Sequence, residues 1–136
     1  MARLIDTSVF VALERREQPV ANELDQLGLG EEIAISTLTA TELLLGVERA
    51  ESETRRARRA AFIESVFTSL PVLPFDLPSA RKHAQLRAIL LGSGRMIGAY
   101  DLLIAASALA YGYSVVTLNL GDFQRVPGLT VHRPNW

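Results

Sequence analysis

Residues 101–119 read DLLIAASALAYGYSVVTLN, and this stretch decides the fold class. Residues 102–110 are apolar nearly all round a helical projection, so the helix they form is expected to be buried against a sheet. Residues 114–118 follow as the clearest strand in the chain. A buried helix feeding a β-branched strand is one unit of a layered α/β arrangement, and the rest of the chain repeats that unit.

Upstream, residues 3–5 read as a short strand running into Asp6-Thr7-Ser8, a helix-start triplet, with a short helix over residues 9–16. Pro19 opens a second helix to about Leu27, which Gly28 and Gly30 close. Residues 32–36 form a second strand and residues 37–49 a leucine-rich helix. Residues 52–70 are a charged amphipathic helix, and residues 71–75 a third strand, placed at an edge by its prolines. Residues 79–91 are helical again, Gly92, Gly94 and Gly98 mark a loop, and residues 129–133 make a last strand. Strands alternating with helices predict an α/β fold with a mainly parallel sheet of four to five strands.

With 136 residues the chain has the length of one domain. Hydrophobic residues are 49% and charged ones 21%, as in globular proteins. There are no cysteines, which excludes disulfides and thiolate metal sites and favours a reducing compartment. No apolar run reaches the roughly 18–20 residues that span a bilayer, and the N-terminus lacks a signal-peptide core, so a cytoplasmic location is expected. Net charge is only −1, and Lys82 is the only lysine. Arginines cluster at Arg55, Arg56, Arg58 and Arg59, and Arg81, Lys82, Arg87 and Arg95 are spread over a second stretch; solvated helix faces are the default reading of both.

The chemistry is in the acids. Asp6, Glu42, Asp101 and the pair Asn119 and Asp122 each fall where an apolar segment ends or a helix begins. Singly, each has a structural explanation. Asp6 caps a helix, Glu42 completes a capping box in Thr39-Ala40-Thr41-Glu42, Asp101 caps the buried helix, and Asn119 with Asp122 belongs to a turn. Jointly, they are placed on one rim, because strands end and helices begin on the same side of an open parallel sheet. Carboxylates without thiolate or imidazole select Mg²⁺ or Mn²⁺. His83 and His132 lie away from these junctions, so zinc is disfavoured.

The segments Leu4-Ile5-Asp6-Thr7-Ser8-Val9, Ser36-Thr37-Leu38-Thr39-Ala40-Thr41-Glu42-Leu43, Ile97-Gly98-Ala99-Tyr100-Asp101-Leu102-Leu103-Ile104-Ala105-Ala106 and Val116-Thr117-Leu118-Asn119-Leu120-Gly121-Asp122-Phe123 together resemble the PIN-domain family, and within it the VapC toxins of toxin–antitoxin pairs. The resemblance extends over essentially the whole chain, 1–136, as a single domain. It implies a three-layer α/β/α fold and a Mg²⁺- or Mn²⁺-dependent endoribonuclease that leaves a 5′-phosphate and a 3′-hydroxyl on tRNA or ribosomal RNA. Asp6, Glu42 and Asp101 match the family's first three acids. Where many relatives carry an aspartate this chain has Asn119, with Asp122 matching the family's later acid, and Thr7 and Thr117 match supporting hydroxyls. A cognate VapB-like antitoxin and a homodimer are implied as partners, with no membrane. On this reading the arginines at 55–59, with Arg87 or Arg95, hold flanking phosphates, and Leu43, Leu44, Val47, Phe62 and Val66 offer an antitoxin groove.

An RNA-processing PIN nuclease without a toxin role is the neighbouring alternative. A phospho-receiver domain needs a lysine at the end of a late strand, and Lys82 lies in a helix. A haloacid-dehalogenase-type phosphatase needs an aspartate where Ser8 stands. A binding module whose acids have lost metal is the remaining class.

Overall fold

The computed structural model describes residues 1–17 and 20–135; the expected opening of the second helix at Pro19 lies outside them. Five strands, β1 (Arg3–Ile5), β2 (Ile33–Ser36), β3 (Val72–Leu73), β4 (Ser114–Val116) and β5 (Val131–His132), form one sheet. Their spatial order is β3-β2-β1-β4-β5, and every neighbouring pair is parallel. The order reverses between β1 and β4, so the crevice for a ligand opens beyond the carboxyl ends of those two strands. The expectation of an edge strand near the prolines is met by β3, shortened to Val72–Leu73.

The strand pleat divides the core. Leu4, Ala34 and Val115 point to one face, and their successors Ile5, Ile35 and Val116 to the other; all six are buried. Against the first face pack α5 (Leu77–Ser93) and α6 (Ala99–Tyr111), through Leu86, Leu90, Leu102, Ile104 and Ala105. Against the second pack α1 (Thr7–Arg16), α2 (Val20–Gly28), α3 (Thr37–Glu48) and α4 (Glu53–Ser69), through Val9, Phe10, Leu24, Leu43 and Ile63. The three layers α/β/α follow. Burial of six residues in consecutive turns accounts for the apolar composition of α6, and Ser107 satisfies its hydroxyl on the Leu103 carbonyl at 3.1 Å.

Three local expectations are corrected. The segment after β4 is a short helix, α7 (Leu120–Phe123), not a plain turn, because fully buried Phe123 anchors it to the core. The leucine-rich helix starts at Thr37 as expected, but its cap is Ser36, whose hydroxyl accepts from the Leu38 amide at 2.9 Å. Glu42 is therefore in the second turn of α3 and closes no capping box. In α6 the cap is Gly98, and Asp101 is the third helical residue.

Candidate metal centre at the sheet's topological switch point

Asp6 continues β1: its amide donates to the Val116 carbonyl at 2.9 Å. It then caps α1, accepting from the Ser8 amide at 3.4 Å, so the capping role and the rim position coexist in one residue. The residue is 3% exposed. The hydroxyls of Ser8, at 2.7 Å, and Thr117, at 2.8 Å, both donate to the same oxygen, Oδ2. Thr117 in turn accepts from the Asn119 amide at 2.8 Å, and Ser8 from the Leu118 amide at 3.1 Å. The ends of β1 and β4 are thus bound together by hydroxyls, with the Asp6 carboxylate between them.

The other acids are oriented in the same way. Glu42 accepts through Oε1 from the Thr7 hydroxyl at 2.6 Å, and Thr7 lies 3.1 Å from the hydroxyl of buried Thr39. Asn119 starts α7 without a side-chain cap, so its amide is available elsewhere. It donates to Asp101 Oδ2 at 2.9 Å and to Asp122 Oδ2 at 3.2 Å, bridging the two acids. Among the described residues each of the four carboxylates takes its neutral donors on one oxygen and leaves the other uncommitted. This is how protein groups steer ligating carboxylates.

Electrostatics show how close the acids are to one another. Among the described residues no arginine, lysine or histidine lies within ion-pair distance of any of the four. Burial, then the charges of Asp6 and Asp122, push the Asp101 carboxyl up to about 6, against the opposing hydrogen bond from Asn119. Burial also raises Glu42, against its bond from Thr7, with Asp6 adding to the rise. Uncompensated carboxylates of this kind are costly unless a cation joins them. The donor set, all hard oxygens, fits Mg²⁺ or Mn²⁺. As the side chains stand, no three acidic or histidine groups among the described residues are set to hold a metal ion together. The carboxylates converge as a hydrogen-bonded chain.

Asp6, Glu42, Asp101, Asn119 and Asp122 are brought to this one rim, with Thr7 and Thr117 as their donors. His83 packs edge-on against Phe75, and His132 is on β5. The arginine cluster is largely committed: Arg55 pairs with Glu51, Arg56 with Glu53, and Arg59 with Glu14. Of the expected groove residues, Leu43 and Val66 fill the core and Leu44 is exposed. Val47 and Phe62 are partly buried against the core. Sequence reasoning assigned no site role to Ser8 or Thr39. Their signal was a hydroxyl within two residues of a strand-end acid, and three residues into a helix that starts at the same rim.

A cleft of about 260 Å³ opens from Thr7 and Glu42 between α1, α3 and α4. Arg59 crosses its far end, donating from Nε to Glu14 at 3.0 Å and from Nη1 to the Gly46 carbonyl at 2.9 Å.

The family described as PIN domain matches residues 3–129. "Ribonuclease VapC1" of Rickettsia felis is 39% identical over 131 residues, 96% of this chain and 95% of its own length. The "tRNA(fMet)-specific endonuclease VapC" of Shigella flexneri is 32% identical over 126 residues, covering 93% of this chain and 92% of that one. Among solved structures, DNA-bound VapBC from Salmonella typhimurium superposes with a TM-score of 0.86 at 30% identity, covering 98% of both chains.

Proposed function

The chain belongs to the PIN-domain family, and on that premise we propose that it is a divalent-metal-dependent endoribonuclease, the toxin of a VapBC-type pair. The observation that carries the reading is the gathering of Asp6, Glu42, Asp101 and Asp122 at the β1/β4 switch point with no cationic side chain among the described residues paired to them. That it occurs in a chain whose relatives are named ribonucleases supports RNA as the substrate.

Asp6, Asp101, Glu42, Asp122 and the carbonyl of the Asn119 side chain are the groups that would hold Mg²⁺ or Mn²⁺. The bound ion supplies Lewis-acid activation of water and stabilises the developing charge on the phosphodiester. The protein's own part is orientation and proton traffic. Ser8 and Thr117 fix the Asp6 carboxylate, Asn119 fixes Asp101 against Asp122, and Thr7 fixes Glu42. If Glu42 reaches the ion through a bound water, its Oε2, with a proton affinity raised by burial, would take up that water's proton. Neutral hydroxyls in these supporting positions leave the negative charge intact for the cation.

The Salmonella structure is of a VapBC pair, and a VapB-like antitoxin and a homodimer belong to the same proposal for this chain. Among the described residues no helix is long and apolar enough to cross a membrane, and a cytoplasmic site of action fits an RNA substrate.

The test is cleavage of RNA by purified protein. Wild type with Mn²⁺ is expected to cut RNA, with 5′-phosphate products, and to stop on chelation. Asp6→Asn, folded as judged by circular dichroism, is expected to cut at least a hundredfold more slowly, an order-of-magnitude estimate for loss of one group that stabilises the transition state. Wild type that cuts no RNA, or a variant that cuts equally well, refutes the reading.

A further inference from the structure

The cleft that begins at the acidic centre ends in a cation that is unpaired among the described residues. Its walls are three helical stripes of residues four apart, which share a face: Thr7, Val11 and Arg15 on α1, Glu42 and Gly46 on α3, Arg59 and Ile63 on α4. One end is anionic through Glu42. The other carries two arginines of different standing. Arg59 is bound to Glu14 and to the Gly46 carbonyl. Arg15 is exposed and makes no hydrogen bond or ion pair among the described residues. Position in the last turn of α1 suits a cation there through the helix dipole, but that effect does not require the side chain to border the cleft. From Thr7 to Arg15 is about 12 Å along α1 at 1.5 Å per residue. Gly46 lines the passage between them, and a Cβ there would make only ordinary van der Waals contact with Arg59 Cδ, at 3.7 Å.

We infer that Arg15 is a phosphate-binding residue for the RNA strand, and that the cleft between α1, α3 and α4 carries the strand away from the scissile bond. This rests on the ribonuclease reading above. The charge pattern selects the ligand. A strand whose reacting phosphate lies at the acids, where a divalent ion reverses the local sign, needs its next anionic contact at a distance from that ion. Arg15 provides a planar fork for a phosphate there, while the apolar side chains of Val11, Leu43 and Ile63 between the two ends suit a nucleoside. Arg59, already neutralised by Glu14, shapes the cleft instead of binding the strand.

The experiment is steady-state cleavage of a single-stranded RNA oligonucleotide with Mn²⁺, comparing wild type with Arg15→Ala, Arg15→Glu and Arg15→Lys. Loss of one charge-assisted contact is expected to raise KM about tenfold in Arg15→Ala at low salt. Arg15→Glu is expected to raise KM further, and Arg15→Lys to recover most of the loss. The split is diagnostic: kcat and the Mn²⁺ affinity measured by calorimetry stay at wild-type values. The slope of log(kcat/KM) against log salt is expected to fall by about 0.7, as for one phosphate contact on a single strand. Neutral methylphosphonates scanned along the strand are expected to include one position that raises KM for wild type and not for Arg15→Ala. Variants that keep the wild-type KM and salt slope while cleavage persists overturn the assignment and leave the nuclease reading standing. Variants that weaken only the binding of a protein partner overturn it in the same way. Wild type that cuts no RNA overturns both.

Discussion

Replacing Asp101 by asparagine separates what the site costs from what it does. The Asp101 carboxyl stands at about 6 instead of its ordinary 3.8, because it is half-buried and faces Asp6 and Asp122. Each pKa unit corresponds to about 1.4 kcal/mol. The full shift is therefore worth about 3 kcal/mol, and screening of a half-exposed group reduces it to about 1 kcal/mol. The sign follows from proton linkage. A carboxyl raised in the folded state binds more protons there than in the unfolded chain, so its contribution is favourable below about 4 and is lost as pH rises through 6. At pH 7.5 wild type carries the whole penalty, and Asp101→Asn, uncharged and able to keep the bond from Asn119, does not. In chelator at that pH the variant is expected to melt about 3–5 °C higher, the shift that about 1 kcal/mol produces in a domain of this size. The advantage should shrink as pH falls through 6 and disappear near pH 4. Added Mn²⁺ should reverse the order, since it stabilises only the protein that binds it. Scanning calorimetry across pH, with and without metal, measures all of this. An asparagine variant that is no more stable at pH 7.5, or whose difference from wild type ignores pH, refutes the account of Asp101.

Three further outcomes follow from the same network. Metal affinity of wild type is expected to weaken as pH drops through about 6, where Asp101 takes up its proton; Mn²⁺ titrations at pH 5 and pH 7.5 compare the two states, and equal affinities count against it. Asn119→Asp removes the amide that bridges Asp101 and Asp122 and adds a charge. It should tighten Mn²⁺ binding while lowering the melting temperature of the metal-free protein, both read in one thermal-shift titration. Phe123→Ala empties a fully buried site beneath α7, costing about 3–5 kcal/mol in denaturant unfolding. Because α7 carries Asp122, a loss of Mn²⁺ affinity should accompany it.

Much of this architecture was legible in the residues. The β-branched strand after a wholly apolar helix, and prolines flanking Val72 and Leu73, sufficed for layers, parallel sense and an edge strand, because burial on two faces and the missing proline amide leave few alternatives. The bounds of β1 and the start of β4 agree with the reading. The register of α3 was less accessible: Ser36, Thr37, Thr39 and Thr41 are all competent caps, and only the end of β2 selects Ser36. That choice moved Glu42 from the first turn to the second and gave it Thr7 as donor. The helix α7 escaped because Leu120-Gly121-Asp122-Phe123 has too few residues to show a period, and burial of Phe123 is a tertiary fact. The hydroxyls of Ser8 and Thr39 escaped because one hydroxyl beside an acid is common in any chain. The arginines were the hardest to rank: the dense run at 55–59 is mostly paired with nearby glutamates, while Arg15, followed directly by Arg16, borders the cleft.

The proposed function requires carboxylates from the end of β1 and from α3, α6 and α7 to act as one receptor for a divalent ion. Anomalous diffraction from crystals of this protein grown with Mn²⁺ tests that directly. The predicted result is density at the β1/β4 switch point, bonded to Asp6 and Asp101, with Glu42, Asn119 or Asp122 completing the oxygen shell. Manganese bound elsewhere, or a saturated crystal with none between Asp6 and Asp101, would contradict it.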